Sequence, residues 1–237
     1  MLEVVKKYNE RTLYGMRKFY EVFSNEKLNT LCSKLSWSHY REVLSLKNID
    51  EIKYYLNECE NKDLTQRQLH ELIKQDSYNR LSDEVKHKLI NHEKLEVDDL
   101  IPNPIIIKTN IFSDEINEYA LKQSILNNID DFLMGLGIGF TYVGNEYKIK
   151  LGNTYNYIDL LLYNIKYKCY VVVELKVTEL KKEHTGQIMT YMNYIDKNIK
   201  TIEENDTVGI IICKKDNKYV IEYCSDDRII AREYELI

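Results

Sequence analysis

The sequence predicts a mixed α/β domain preceded by an all-helical one. Three observations carry this expectation. Residues 16–101 contain neither glycine nor proline, while seven of the eight glycines lie at or beyond Gly135. Apolar residues before about residue 100 recur at spacings of three and four, the signature of helices with one buried face. After that point short apolar runs alternate with turn residues, as strands do, with helical patterns between them. Both prolines fall in Ile101-Pro-Asn-Pro104. Proline removes a backbone donor and biases its predecessor to extended geometry, so the expected division is 1–100 and 101–237.

In the first part, Leu13, Met16, Tyr20 and Phe23 read as one helical stripe, and Leu28, Leu31 and Leu35 as another. Asp50 is placed to cap a helix that buries Ile52, Tyr55, Leu56 and Cys59. Thr65-Gln-Arg-Gln68 reads as a capping box, with Leu64 and Leu69 spaced for a hydrophobic staple. Short helices in succession fit a helix-turn-helix-like bundle, an architecture that also serves proteins with no nucleic-acid role.

In the second part, Ser113 is placed to cap one long helix striped by Leu121, Ile125, Ile129, Phe132, Leu133 and Leu136, ended by the glycines from Gly135 to Gly139. Strand patterns follow at 140–143, 147–151, 155–163 and 167–177, with turns expected near Gly144-Asn145 and Gly152-Asn153. A helix over 183–196 comes next, then strands over 208–213 and 219–223.

Composition bounds the function. The chain has 237 residues, 44% hydrophobic and 30% charged, as a globular protein has. It holds no apolar run long enough to span a bilayer, and the first residues lack a signal-peptide pattern, so the cytoplasm is the expected location. The cysteines Cys32, Cys59, Cys169, Cys213 and Cys224 form no C-x-x-C pair and argue for reduced thiols rather than a zinc site. Net charge is −5. Residues 1–100 carry 17 Lys+Arg against 18 Asp+Glu, and residues 101–237 carry 16 against 20. This is not the balance of a protein that coats phosphate backbones with a broad basic surface; any nucleic-acid contact has to be local.

One constellation carries chemistry. Asp159 stands in Tyr157-Ile-Asp-Leu-Leu-Leu, and Glu174 and Lys176 in Val171-Val-Val-Glu-Leu-Lys. Strand side chains alternate, so Glu174 and Lys176 share a face opposite Val173, Leu175 and Val177. Burying a carboxylate and an ammonium is costly unless they are paired or bound to metal. A short turn over 164–166 folds the two strands together and brings Asp159 towards Glu174. Two carboxylates and the backbone carbonyl of Leu175 make a hard-oxygen site suited to Mg²⁺ or Mn²⁺. Such an ion polarises a phosphoryl oxygen and acidifies a bound water, with Lys176 placed to orient that water or steady the developing charge. The tripeptide Glu-x-Lys is weak on its own, since it also begins at Glu51, Glu60, Glu84, Glu146 and Glu179. Pattern alone leaves a metal site and a structural ion pair both open. Gln187 and Tyr191, four apart on the following helix, share a face that either contacts phosphate or forms a polar rim beside Ile188, Met192 and Ile195.

Taken in order, Tyr157-Ile-Asp-Leu-Leu-Leu-Tyr163, Cys169-Tyr-Val-Val-Val-Glu-Leu-Lys176, Gly186-Gln-Ile-Met-Thr-Tyr-Met192 and Gly209-Ile-Ile-Ile-Cys-Lys214 resemble the PD-(D/E)XK nuclease superfamily, and within it the YhcG-type bacterial nucleases. Leu35-Ser-Trp-Ser-His-Tyr40 and Gln68-Leu-His-Glu-Leu-Ile-Lys-Gln75 resemble the N-terminal region of that group. The resemblance implies a restriction-endonuclease-like mixed sheet flanked by helices, preceded by a winged-helix-like DNA-binding or targeting domain. It implies Asp159 and Glu174 as metal ligands, Lys176 as the catalytic lysine, and Gln187, with Tyr191 beside it, as polar residues of the site. DNA is the implied partner, with Ser38, His39 and Arg41 as candidate contacts, and no small-molecule cofactor. A homodimer fits a duplex cutter, which needs two sites. One departure stands out: the first acid of the family pattern falls at Lys122, and Glu118, one turn earlier, is the candidate substitute. A catalytically impaired nuclease fold that only binds nucleic acid or protein is the alternative that Lys122 raises.

Overall fold

The computed structural model describes residues 9–24, 35–91, 93–111, 116–137, 139–224 and 226–237, without the side chains of Lys62 and Cys224. Leu28, Leu31, Cys32 and Ser113 lie outside the described residues, as does the side chain of Cys224. By internal contacts the chain falls into two compact units, 1–79 with 86–93, and 80–85 with 94–237.

The first unit holds helices and no strand among its described residues, so the strands of a wing are not seen there. Helix α1 (Glu10–Phe23) is capped by Asn9, whose side chain accepts from the Thr12 amide. Its inward face is not the stripe expected from Met16 and Tyr20, which are exposed. Phe23 turns inward as expected, joined by Phe19 four residues earlier, and the two meet Tyr40 edge-on, with ring centroids 5.5 and 5.2 Å away. Helix α2 (Trp37–Val43) leads to α3 (Ile49–Lys62), which buries Ile52, Tyr55, Leu56 and Cys59 as its spacing demands. Its cap is Asn48 rather than Asp50: the Asn48 side chain accepts from the Asp50 amide, placing Asp50 in the first turn, where a negative charge suits the helix dipole. Helix α4 (Gln66–Lys74) carries the Thr65/Gln68 capping box, with Leu64 and Leu69 buried. Helix α5 (Asp83–Ile90) spans the division between the units.

The second unit opens with α6 (Val97–Leu100). Pro102 and Pro104 lie inside this unit, because Val97 and Ile101 already belong to its core. Its centre is a six-stranded mixed sheet in the order β1-β6-β5-β4-β3-β2, flanked by helices. The strands are β1 (Ile105–Ile107), β2 (Phe140–Leu151), β3 (Thr154–Asn164), β4 (Cys169–Glu179), β5 (Asn205–Lys215) and β6 (Ile229–Leu236). β2, β3 and β4 form an antiparallel meander, while β4, β5, β6 and β1 run parallel.

Three expectations are corrected here. The long helix is two, α7 (Glu118–Asn127) and α8 (Ile129–Leu136), broken where Asn128 leaves helical geometry, and its cap is Asn117. The turn near Gly144-Asn145 is a bulge within one continuous β2, the register slipping between Tyr142 and Gly144. Residues 219–223 form part of helix α10 (Lys218–Cys224), not a strand. Parallel β5 and β6 require a crossover, and a tight hairpin strand cannot supply one. Tyr219 and Tyr223, four apart, face solvent while Val220 and Ile221 pack inward. Strands β1 and β6 went unread in the sequence.

Two apolar layers sandwich the sheet. One side packs Val171, Val173, Leu175, Leu160 and Leu162 against Leu121, Ile125, Phe132 and Leu136. The other packs Leu161, Val172 and Ile211 against Ile188, Met192 and Ile195 of α9 (Lys182–Asn198). Helix α9 lies so close to β5 that a Cβ on Gly209 would meet Met192 Sδ at 2.6 Å. Cys59, Cys169 and Cys213 are buried free thiols. No described helix is long and apolar enough to cross a membrane.

Candidate active site

β3 and β4 pair from Asn164 and Cys169 at the turn to Leu160 and Val173. Asp159 and Glu174 are the next residues on each strand, where the pairing ends. The tight turn and uninterrupted register bring the two carboxylates together, and the apolar flanks bury them.

Glu174 is only 2% exposed, and among the described residues its Oε1 has no hydrogen-bond partner. Its other oxygen, Oε2, accepts from Lys176 Nζ at 3.4 Å. Burial, and then the negative charge of Asp159, push its carboxyl up to about 7. Asp159 is held from two sides: Oδ2 accepts the Leu175 amide at 3.1 Å, and Oδ1 lies 3.4 Å from Lys122 Nζ. Asp159, Glu174, Lys176 and Leu175 are thus brought together, Leu175 through its recorded amide contact.

Lys122 is 8% exposed, and its ammonium also donates to Glu146 Oε1 at 2.9 Å. Burial opposes its charge, but the hydrogen bond to Glu146 and the charge of Asp159 outweigh that and raise its pKa. A positive charge therefore sits beside the carboxylate pair, at the position where an acid was expected. Glu118, the candidate substitute, meets the neighbouring Lys176. Its Oε2 lies 3.8 Å from Lys176 Nζ, so its recorded ion pair is with that lysine.

Gln187 Nε2 donates to Tyr191 Oη at 3.1 Å, so the two share a face of α9 as their spacing requires. Their recorded bond is to each other, not to Asp159, Glu174 or Lys176. In the first unit, His39 Nδ1 accepts from the Ser36 amide at 3.3 Å and its Nε2 meets the Leu64 carbonyl at 2.9 Å. Both ring nitrogens are committed to the fold. Ser38 Oγ lies 2.7 Å from Ser36 Oγ, while Arg41 is exposed.

Two neighbours were missed by sequence reasoning. His184 lies close enough that burial, then the charge of Lys176, lowers its pKa. Its position three residues before Gln187 on one helix face was the available signal. Glu146 was passed over as one of several Glu-x-Lys tripeptides. Its φ of 45° is left-handed, in the irregular stretch of β2 that aims it at Lys122.

Among the described residues no three His, Cys, Asp or Glu side chains gather as a metal site. The donors that are present still suit one hard divalent ion: a buried carboxylate oxygen without a partner, beside a second carboxylate.

Residues 99–237, more than half of the chain, match the family model of the YhcG PDDEXK nuclease domain, and residues 2–80 match that of the DUF1016 N-terminal domain. A curated relative, "Putative nuclease YhcG" of Escherichia coli (strain K12), is 26% identical over 208 residues, covering 84% of this chain and 56% of that protein. The chain thus spans little more than half of that relative's length. Among solved structures, a repair endonuclease from Pyrococcus abyssi aligns with a TM-score of 0.34 at 15% identity, over 54% of this chain and 49% of that one. EndoMS in a complex with double-stranded DNA aligns with a TM-score of 0.30 at 16% identity, over 42% of this chain and 37% of that one.

Proposed function

The chain belongs to the family of the YhcG PDDEXK nuclease domain, and from that premise we propose that it is a divalent-metal-dependent nuclease that hydrolyses DNA phosphodiester bonds. The observation that carries the proposal is Glu174 Oε1, a buried carboxylate oxygen with no hydrogen-bond partner among the described residues, next to Asp159. An unsatisfied buried acceptor costs about 1–3 kcal/mol, which a bound cation would relieve.

In this reading Asp159, Glu174 and the Leu175 carbonyl would hold Mg²⁺ or Mn²⁺. The bound ion would supply Lewis acidity to a phosphoryl oxygen and lower the pKa of a water. Glu174 would have to be ionised to hold the cation, and with its carboxyl pushed up to about 7 by burial the ion would compete with a proton near neutrality. Lys176, only 3.4 Å from Glu174, orients the attacking water or steadies charge on the phosphate. Gln187 and Tyr191 offer polar groups from α9 to the same phosphate. Glu118 acts on Lys176 rather than on the ion. The helical unit targets the substrate, with Arg41 the strongest of the three candidate contacts because His39 is committed to the fold. Cutting both strands of a duplex calls for a second copy of the chain.

A second reading is favoured by one observation. The Lys122 ammonium beside Asp159 is a built-in cation that opposes metal entry, and a catalytically impaired fold that only binds nucleic acid or protein would tolerate it.

Wild type and Lys176→Ala are compared on supercoiled, linear, branched and single-stranded DNA and on RNA, with and without Mg²⁺ or Mn²⁺. Metal-dependent cleavage that falls about 100-fold or more in the variant is expected. Wild type that cuts no substrate with either metal moves the assignment to the binding reading.

A further inference from the structure

Beyond the site, β2 and β3 continue as a two-stranded hairpin closed at Gly152, with Lys148 opposite Tyr157 and Lys150 opposite Tyr155. Ile149 and Ile158, one residue out of step, are fully buried. Side chains alternate across a strand, so one face of the hairpin is anchored in the core and the other carries the two lysines and two tyrosines to solvent. Tyr155 and Tyr157 are 54% and 53% exposed. Lys148 Nζ lies 3.9 Å from the centre of the Tyr155 ring, which fixes them on a common face. Among the described residues neither lysine meets a carboxylate within ion-pair distance, although the chain as a whole is acidic. The patch starts two residues from Asp159 on β3 and two from Glu146 on β2, about 6–7 Å of extended strand.

We propose that this lysine–tyrosine face is a docking platform for a single-stranded segment of DNA lying next to the scissile phosphate. The inference rests on the nuclease reading for what happens at Asp159, but its binding chemistry is separate. Two exposed cations that meet no carboxylate among the described residues, Lys148 lying over the Tyr155 ring, complement a phosphodiester backbone. The exposed Tyr157 ring, and the face of Tyr155 that Lys148 leaves open, offer stacking surfaces, which only unpaired bases can meet, because a duplex hides base faces in its own stack. A row of two ammoniums on β2 beside a row of two rings on β3 suits a strand that carries phosphates along one side and bases along the other. The core behind Ile149 and Ile158 holds the platform in place before the ligand arrives, so little ordering cost is added on binding. The favoured substrate class is therefore DNA with a single-stranded arm, gap or end, fed along the hairpin into the site.

The test measures binding by fluorescence anisotropy with EDTA present, so that nothing is cut. Labelled single-stranded DNA, the same sequence as a blunt duplex, and single-stranded RNA are titrated with the full chain. Wild type is expected to bind single-stranded DNA more tightly than blunt duplex. Tyr155→Ala with Tyr157→Ala should weaken single-strand binding at least about tenfold and duplex binding little. Tyr155→Phe with Tyr157→Phe should retain the wild-type affinity, since the ring is kept. Lys148→Gln with Lys150→Gln should flatten the salt dependence by about 1.4 in log–log slope on single strands.

The platform is overturned if the alanine pair binds single strands as wild type does, if both forms of DNA weaken equally, or if wild type prefers duplex or RNA. Cleavage assays keep the two ideas apart. Loss of single-strand binding in the alanine pair, with no cleavage by wild type, would sink the nuclease and leave the platform standing. Metal-dependent cleavage with unaltered binding in the variants sinks the platform alone.

Discussion

Two clusters of charge are built into the second unit, and they are finished to different degrees. At the end of α9, Asp196 accepts the Thr207 amide and hydroxyl on one oxygen and Arg228 on the other, and Arg228 also grips Asp226. Every carboxylate oxygen named there has a donor. At the end of the β3–β4 pairing, Glu174 keeps one buried oxygen bare, and its carboxyl is pushed up to about 7. Asp226, held by Arg228, is instead driven below the usual carboxylate range. A completed network stabilises the fold; an uncompleted one leaves room for something the chain does not contain. Sequence inspection cannot separate them, because both are acids beside a basic residue.

The largest effect should come from exchanging one residue in each cluster. Glu174→Gln removes the proposed metal ligand and should cut metal-dependent cleavage by about 1,000-fold or more, on the order of 4 kcal/mol of barrier. Without metal at pH 8 it should melt at or above the wild-type temperature, because a buried negative charge is gone. Asp196→Asn should do the reverse, losing about 2 kcal/mol in urea denaturation while activity per folded molecule persists. If both variants lose stability alike, the distinction between the clusters fails.

The pH dependence sharpens the same contrast. With its pKa raised, folded Glu174 holds more proton than the unfolded chain between about 4.5 and 7, so its contribution to stability falls as pH rises through that window. The full shift corresponds to about 3 kcal/mol. Asp226 has the opposite sign: its lowered pKa adds stability that is present above the ordinary value and lost as pH falls below it. Urea denaturation from pH 5 to 8 in EDTA should show the Glu174 slope, and Glu174→Gln should lack it. Saturating Mg²⁺ should flatten it, since the ion favours the ionised form. A slope unchanged in Glu174→Gln would assign the titration elsewhere.

A smaller effect is expected at Lys122, whose ammonium lies 3.4 Å from Asp159 Oδ1. Lys122→Gln should tighten Mn²⁺ binding about tenfold by calorimetry, the scale of one charge removed from a partly solvated site. Unaltered affinity would mean that Glu146 already draws the ammonium away from the ion.

Much of the site was legible because its logic is local. Asp159, Glu174 and Lys176 follow from alternation along two strands and a tight turn, and Gln187 with Tyr191 from helical spacing. Thr65 and Gln68 announced their capping box for the same reason. Other features misled. Asn48, not Asp50, caps α3, since both residue types cap helices and the backbone decides which of the two starts this one. Tyr219 to Tyr223 alternates well enough for a strand, yet parallel β5 and β6 make it a helix.

The order of residues was sufficient to set which groups share a strand face and which acids stand side by side, since those relations span a few peptide units and obey fixed periods. It could not set that Lys122, on α7, would lie between Asp159 and Glu146, that Glu118 would face Lys176, or that one oxygen of Glu174 would go without a donor. Those depend on how a helix packs on a bulged and twisted sheet, where separations of tens of residues close to a few ångströms and burial fixes what a charge costs.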